Sequence, residues 1–356
     1  MESNHSNFFK NLKVIELASV LAGPSVGRFF TECGAEVIKI EPPPHGDVTR
    51  TWKLKGERGK ISAYYASVNS GKTIEFLDLK DSDNLEKIKD YLASADIVLM
   101  NFKSSSAAKM KLLPEQLREK YPQLIIGQID AFHADDDRPA YDIVLQAEAG
   151  YLSMCGTGDA PARLPVAFID LLAGHQLKEG ILMALLRKQQ LGDGAIVRVN
   201  LLDAAIGALI NQASNYLMMN HLPVRMGTLH PNISPYGECF KTADNKEIVL
   251  AIGNDKQFDA LLNILELPAH SFKDLFHDNA SRVENRIELY KCLKYEFQRF
   301  TRDEISEKLI LAKVPHGLIL NIEEVLKGRG KHLIHEEILD GERAISLKTV
   351  NFNFLT

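Results

Sequence analysis

At 356 residues, with 45% hydrophobic, 25% charged and 8% aromatic side chains, the chain has a globular composition and the length for two cores. A formal net charge of −5 argues against a general nucleic-acid or anionic-membrane binder, so an anionic ligand needs a local basic patch. The four cysteines (Cys33, Cys155, Cys239 and Cys292) are scattered, form no CxxC pair, and read as reduced thiols of a cytoplasmic protein. The opening "MESNHSNFFKNLK" lacks an apolar signal region, and no stretch is long and apolar enough for a membrane span.

The first hundred residues alternate strand and helix signals. Val14–Leu17 is a short apolar run, and "AGPSVGRFFTECG" follows it with Pro24 placed for a first helical turn and Gly34 for a stop. "AEVIKIE" (35–41) reads as a buried strand, and residues 84–93 as a charged amphipathic helix. Then come the strand "DIVLM" (96–100), a helix from Pro114, and the strand "LIIGQI" (124–129). This alternation predicts an α/β fold: a Rossmann-like large domain with a parallel sheet and a ligand site at the carboxyl ends of its strands. Two long helices are expected over 171–190 and 201–220, separated by a turn and a short strand in "GDGAIVRVN". Residues 222–330 change character, with a Pro/Gly-rich entry, the strand "KEIVLAIG" and charged helices, and read as a smaller α/β domain. Residues 1–220 form the large domain, completed by the β-rich tail 331–356.

The turn "LAGPSVG" places glycines at 23 and 27, a G-x-x-x-G spacing in place of the G-x-G-x-x-G that admits a pyrophosphate. Close helix–sheet packing is the reading that suits them, and a nicotinamide dinucleotide is disfavoured. Lys39, Arg50, Lys53, Lys55, Arg58 and Lys60 crowd one stretch, which serves either a phosphate-bearing ligand or a solvated loop. The histidines show no metal-ligand spacing, and no G-x-S-x-G elbow is present. In "PVAFIDLLAGHQ", Asp170 ends an apolar run where a helix begins. An N-cap and a carboxylate nucleophile both fit that position, and the local pattern does not separate them.

Read together, the motifs resemble the class III CoA-transferases, the CaiB/BaiF family. The likeness begins in "LKVIELASVLAGPSVGRFFTECGAEVIKIEPPPHGDVTR" and runs through "DIVLMNF", "DRPAYDIVLQAEAG", "PVAFIDLLAG", "VNLLDAAIGAL", "RMGTLHPNISPYGECFKTAD" and "KVPHGLILNIEEV" in the family's order. The resemblance implies CoA transfer from an acyl-CoA donor to a small free carboxylic acid, through an aspartyl-CoA thioester on Asp170. It implies no metal and no redox cofactor, and an interlocked homodimer. Asp142 falls where oxalate-type members have a glutamate close to the nucleophile, so the pair Asp170 and Asp142 is expected to carry catalysis. CoA contacts are implied at Val20, Lys72, Asn101, Phe102 and Lys109, with Thr73 and Met100 departing from the family's neighbouring residues. Leu21 replaces a glutamine of the formyl-CoA:oxalate transferases, and "SPYGECF" stands in place of their glycine-rich loop, both of which argue against oxalate. The chain also stops at Thr356, short of the C-terminal segment of longer members. The same fold serves α-methylacyl-CoA racemases, which pair the aspartate with a histidine; here that histidine's position is Tyr141, a poor base at neutral pH. A catalytically silent acyl-CoA-binding paralogue is the other alternative, opposed by the retention of Asp170.

Overall fold

The computed structural model describes residues 7–133, 136, 138–268 and 274–353. The outermost residues of the N-terminal leader and of the C-terminal tail, and Asp137 at the head of "DRPAYDIVLQAEAG", therefore lie outside the described residues. The chain divides into two compact units. The first takes residues 1–151, 163–214 and 330–356; the second takes 152–162 and 215–329. The segment 152–162 thus belongs with the second unit, whereas the sequence pattern predicts it in the first.

The first unit is built on a parallel six-stranded sheet. Its strands are β1 (Lys13–Glu16), β2 (Glu36–Glu41), β3 (Thr73–Phe76), β4 (Ile97–Met100), β5 (Ile125–Asp130) and, after two short strands elsewhere (β6, Gly156–Thr157; β7, Ala160–Pro161), β8 (Ala195–Asn200). The order across the sheet is β3-β2-β1-β4-β5-β8, and every pairing is parallel. The chain therefore runs outward from β1 in one direction and returns to β4 on its other side. That reversal opens a crevice at the carboxyl ends of β1 and β4, the place where doubly wound sheets bind ligands.

Alternation along the strands sends side chains to two apolar layers. Val14, Val37, Ile97, Leu99 and Ile125 face α1 (Ala22–Glu32) and the 24-residue helix Phe168–Leu191. Ile15, Ile38, Val98 and Ile126 face the opposite layer, where Ile88 and Leu92 of the helix Ser82–Ser94 and Leu117 of the helix Pro114–Lys120 pack. The glycines of the first turn do serve close packing. A Cβ on Gly27 would collide with the Glu16 carboxylate, and one on Gly23 would collide with the Ala18 Cβ.

The helix expected over 201–220 is two helices, Leu201–Gly207 and Ile210–Met219, with Ile210 at a positive φ of 42°. The β-rich tail forms an antiparallel hairpin of two strands, Ile334–Leu339 and Glu342–Leu347, and is part of the first unit. Leu339 and Ala344 of that hairpin pack on Ile61, Tyr65 and Ala66. The second unit has a three-stranded antiparallel sheet (Tyr236–Lys241, Glu247–Ala251 and His316–Leu318) covered by helices around Phe240, Leu261, Leu293 and Leu309. Among the described residues, no helix is long and apolar enough to cross a membrane.

Candidate active site

Asp170 is not a helix cap. The helix starts at Phe168, Ala167 occupies the cap position without a side-chain hydrogen bond, and Asp170 is the third helical residue. The cap comes from elsewhere in the chain. Asp142 opens the helix Asp142–Glu148, and its Oδ1 accepts hydrogen bonds from the backbone N–H groups of Ile169 (2.7 Å) and Asp170 (3.2 Å). These are two of the donors that a helix start leaves without partners, so Asp142 does for this helix what a local Ser or Asp would do. Of the two readings that the local sequence left open for Asp170, this arrangement excludes the N-cap.

Gln146, one turn after Asp142, locks it in place. Its amide Nε2 donates to Asp142 Oδ2, while its Oε1 accepts from Leu164 N at 3.0 Å. The second bond fixes which end of the amide faces Asp142, and all three neighbours of the Asp142 carboxylate are donors. Sequence reasoning passed over Gln146, although its i,i+4 spacing from Asp142 was the available signal.

Both carboxyl groups are buried, each 8% exposed. Burial first, and then the negative charge of Asp142, push the Asp170 carboxyl up to about 7. Tyr64 lies within reach of the same charges. Its hydroxyl is pushed up to about 12 by burial and then by Asp170, Asp142 and Asp47. Trp52 packs edge-on against both Tyr64 (ring centroids 5.1 Å apart) and Tyr141 (5.8 Å), giving the site an aromatic wall. A desolvated carboxylate beside an aromatic surface has the character of a reactive group, because it has lost the water that would stabilise its charge.

The crevice at the strand ends is a cleft of about 370 Å³. Leu17–Ser19 after β1, Pro42 after β2, Leu79 after β3 and Phe102 after β4 contribute to its walls. Along it runs a series of ion pairs, buried except at Asp340, of which Lys39, Glu41 and Asp47 also line the cleft. Glu16 meets Lys72 (2.8 Å) and Lys39 (3.0 Å); Lys39 meets Asp47 (3.1 Å); Glu41 meets Arg50 (2.6 Å), which reaches Asp340 in the C-terminal hairpin (2.7 Å). Lys39 is raised above its ordinary range by Glu16, Asp47 and Glu41 against the opposing effect of burial. Asp47 is held low by Lys39 and by hydrogen bonds from Thr49, again against burial.

The structure sorts the residues that the resemblance assigned to CoA. Phe102 lines the cleft. Asn101 turns both ends of its amide to Ser19, accepting from its N–H (3.1 Å) and donating to its carbonyl (3.0 Å). Val20 sits in the turn after β1 at φ +72°, a left-handed conformation that costs a β-branched residue about 1–3 kcal/mol. Lys109 is exposed in the last turn of the helix Ser104–Met110. Lys72 departs from its expected use. Its ammonium is buried and donates to Glu16, the Pro24 carbonyl (2.9 Å) and Asn69 Oδ1 (3.0 Å), and burial lowers it to about 7 despite Glu16. The basic run splits in the same way: Lys39 and Arg50 are internal, whereas Lys53, Lys55, Arg58 and Lys60 are exposed.

Comparison with known proteins identifies the family. The family model for CoA-transferase family III matches residues 9–342. The succinate–glutarate CoA-transferase of Agrobacterium fabrum is 36% identical over 324 residues, 88% of this chain and 80% of that protein. The human succinyl-CoA:glutarate CoA-transferase is 34% identical over 332 residues, 91% of this chain and 74% of its own length. A crystal structure of a CaiB/BaiF family protein from Brucella suis matches with a TM-score of 0.82 at 34% identity, covering 98% of this chain and 93% of that one. A match of this length, carried by fold and sequence together, identifies the chain as a CoA-transferase, a member of CoA-transferase family III.

Proposed function

We propose that the protein moves CoA from an acyl-CoA donor to a free carboxylic acid by way of covalent intermediates on Asp170. The observation that carries the proposal is the buried Asp170 carboxyl, lifted to about 7 beside a fixed second carboxylate. A carboxylate oxygen of Asp170 attacks the donor's thioester carbonyl; the C–S bond breaks, leaving a mixed anhydride and CoA thiolate. The thiolate attacks the aspartyl carbonyl, expels the donor acid as its carboxylate, and leaves an aspartyl-CoA thioester. The acceptor's carboxylate then displaces the thiolate, and the thiolate attacks the acceptor's acyl carbon to release the new acyl-CoA and free Asp170. One thioester and one carboxylate are present at each end of the cycle, so the exchange runs near equilibrium.

Asp142 and Gln146 support this route by holding the helix start still, so that Asp170 meets the thioester from a fixed position. The strand-end cleft accommodates the remote part of CoA, with Phe102 and the turn around Val20 at its wall. The names of the relatives direct the first assays to succinyl-CoA as donor and glutarate as acceptor. The working unit on this reading is a homodimer. The helix Ile210–Met219 has no fully buried residue within the single chain, and Leu217, Met218 and Met219 are exposed, which supports a second copy covering it. Incubation with succinyl-CoA and hydroxylamine, followed by mass spectrometry, is expected to place a hydroxamate on Asp170. Undiminished CoA transfer in Asp170→Ala would sink the mechanism.

A further inference from the structure

The turn that follows β1 is held by side chains from β2 and from the loops that follow β2 and β4. Lys39 Nζ donates to the Ala18 carbonyl at 2.7 Å. Asn101 takes both backbone polar groups of Ser19. Val20 N donates to Asp47 Oδ2 at 3.1 Å. Three consecutive residues are thus fixed by three side chains, two of them charged and almost wholly buried. The residue so held is a valine at φ +72°, where glycine would sit without strain. A β-branched residue keeps this conformation only where the surroundings over-determine it.

We infer that Asp47 is a positioning residue for CoA: its bond to Val20 N–H holds the strained turn in the shape that forms the wall of the cleft. The inference rests on the reading that this cleft takes CoA. Leu17, Ala18 and Ser19 line it from the turn, so a change in the turn alters its wall. The second oxygen of Asp47 is otherwise engaged. Oδ1 accepts from Thr49 N (3.0 Å) and Thr49 Oγ1 (2.8 Å), which caps the short helical turn Val48–Thr51. Oδ2 also pairs with Lys39 (3.1 Å), and Asp47 itself borders the cleft. Several roles therefore meet in one carboxylate, and the rescue below isolates its hold on Val20.

Without the Asp47 bond, Val20 relaxes toward negative φ, because its Cβ disfavours the left-handed region by an amount that leaves roughly one molecule in ten in the binding shape. Affinity for CoA then falls by the same factor. Glycine at position 20 populates positive and negative φ about equally, so it needs no latch.

The test measures the Kd of free CoA by calorimetry for wild type, Asp47→Ala, Val20→Gly and the double variant. Asp47→Ala is expected to weaken binding roughly tenfold. Val20→Gly serves as its own reference, since it also removes the Val20 side chain from the turn, and the double variant is expected to stay within about threefold of Val20→Gly. A double variant as weak as Asp47→Ala overturns the inference, since a role in capping Thr49 or in direct ligand contact is not rescued by glycine at position 20. An unchanged Kd in Asp47→Ala overturns it as well and leaves the CoA-transfer reading standing. Absence of CoA binding by wild type overturns both. If Asp47→Ala fails to fold, Asp47→Leu, which has a similar shape and no acceptor for Val20 N–H, is measured with and without Val20→Gly under the same criteria.

Discussion

Replacing Asp170 by asparagine should make the protein more stable, and increasingly so as the pH rises. The Asp170 carboxyl is lifted from the ordinary 3.8 to about 7 by burial and by Asp142. The folded chain then keeps a proton that the unfolded chain releases between about pH 4 and about pH 7. Stability contributed by this group therefore falls as pH rises through that window, and the full penalty, about 4 kcal/mol, is reached above the folded value. The asparagine side chain has a similar shape and no charge to desolvate. Its own packing differences do not vary with pH, so the useful quantity is the change in the stability difference between variant and wild type. From about pH 5 to about pH 8.5 that difference should grow by about 2–3 kcal/mol in favour of the variant. Other groups that titrate here, Lys72 among them, are present in both proteins and cancel. Urea or guanidinium unfolding at several pH values, with equal slopes in both proteins, provides the measurement. A difference that stays flat, or that moves in favour of wild type, refutes the reasoning.

Asp142→Asn removes the negative charge beside Asp170, so the pH midpoint for hydroxamate formation should move down from about 7; a midpoint that does not move assigns the lift to burial alone. Lys72→Met leaves Glu16 buried with Lys39 as its one remaining ion-pair partner, and should cost about 3–5 kcal/mol of stability. The same variant should bind CoA within about threefold of wild type, because the ammonium is inside the protein; a tenfold loss would restore Lys72 to the binding site.

The strands β1, β2, β4 and β5 were legible because each is a short apolar run that burial on both faces demands, whereas β3, with no fully buried residue, carries no such signal. Val14–Leu17, "AEVIKIE", "DIVLM" and "LIIGQI" all lie within a residue or so of β1, β2, β4 and β5. The break between the helices Leu201–Gly207 and Ile210–Met219 was not, since no proline marks it and the apolar residues run on through Leu217, Met218 and Met219, all exposed. Asp170 was singled out through the family's ordered motifs, but its local role stayed open for a definite reason. The group that caps its helix is 28 positions away, and a pattern read over a few residues has no access to that bond. Lys72 illustrates the same limit. Its partner Glu16 lies 56 positions earlier, and only the meeting of β1 with the segment before β3 turns an apparent ligand-binding cation into an internal ion pair. Asp47 was visible as one acid in a basic run, whereas its hold on Val20 depends on two loops that the sheet brings together.

The raised Asp170 carboxyl also bears on the order of events along the proposed route. In the mixed anhydride, CoA thiolate has two carbonyls to attack. Attack on the acyl side expels Asp170 as a buried anion beside Asp142, the state that the site stabilises least. Attack on the aspartyl side expels the donor acid instead, and Asp170 stays neutral as a thioester. Desolvation thus favours the forward branch, and it lifts the free carboxylate relative to both covalent states by up to the same few kcal/mol that asparagine should recover in stability. The helix cap fits this role. Were the Ile169 and Asp170 N–H groups directed at the Asp170 carboxylate, they would lower its pKa and remove that advantage. Asp142 accepts both, which leaves the proposed nucleophile in place without those two N–H groups as partners.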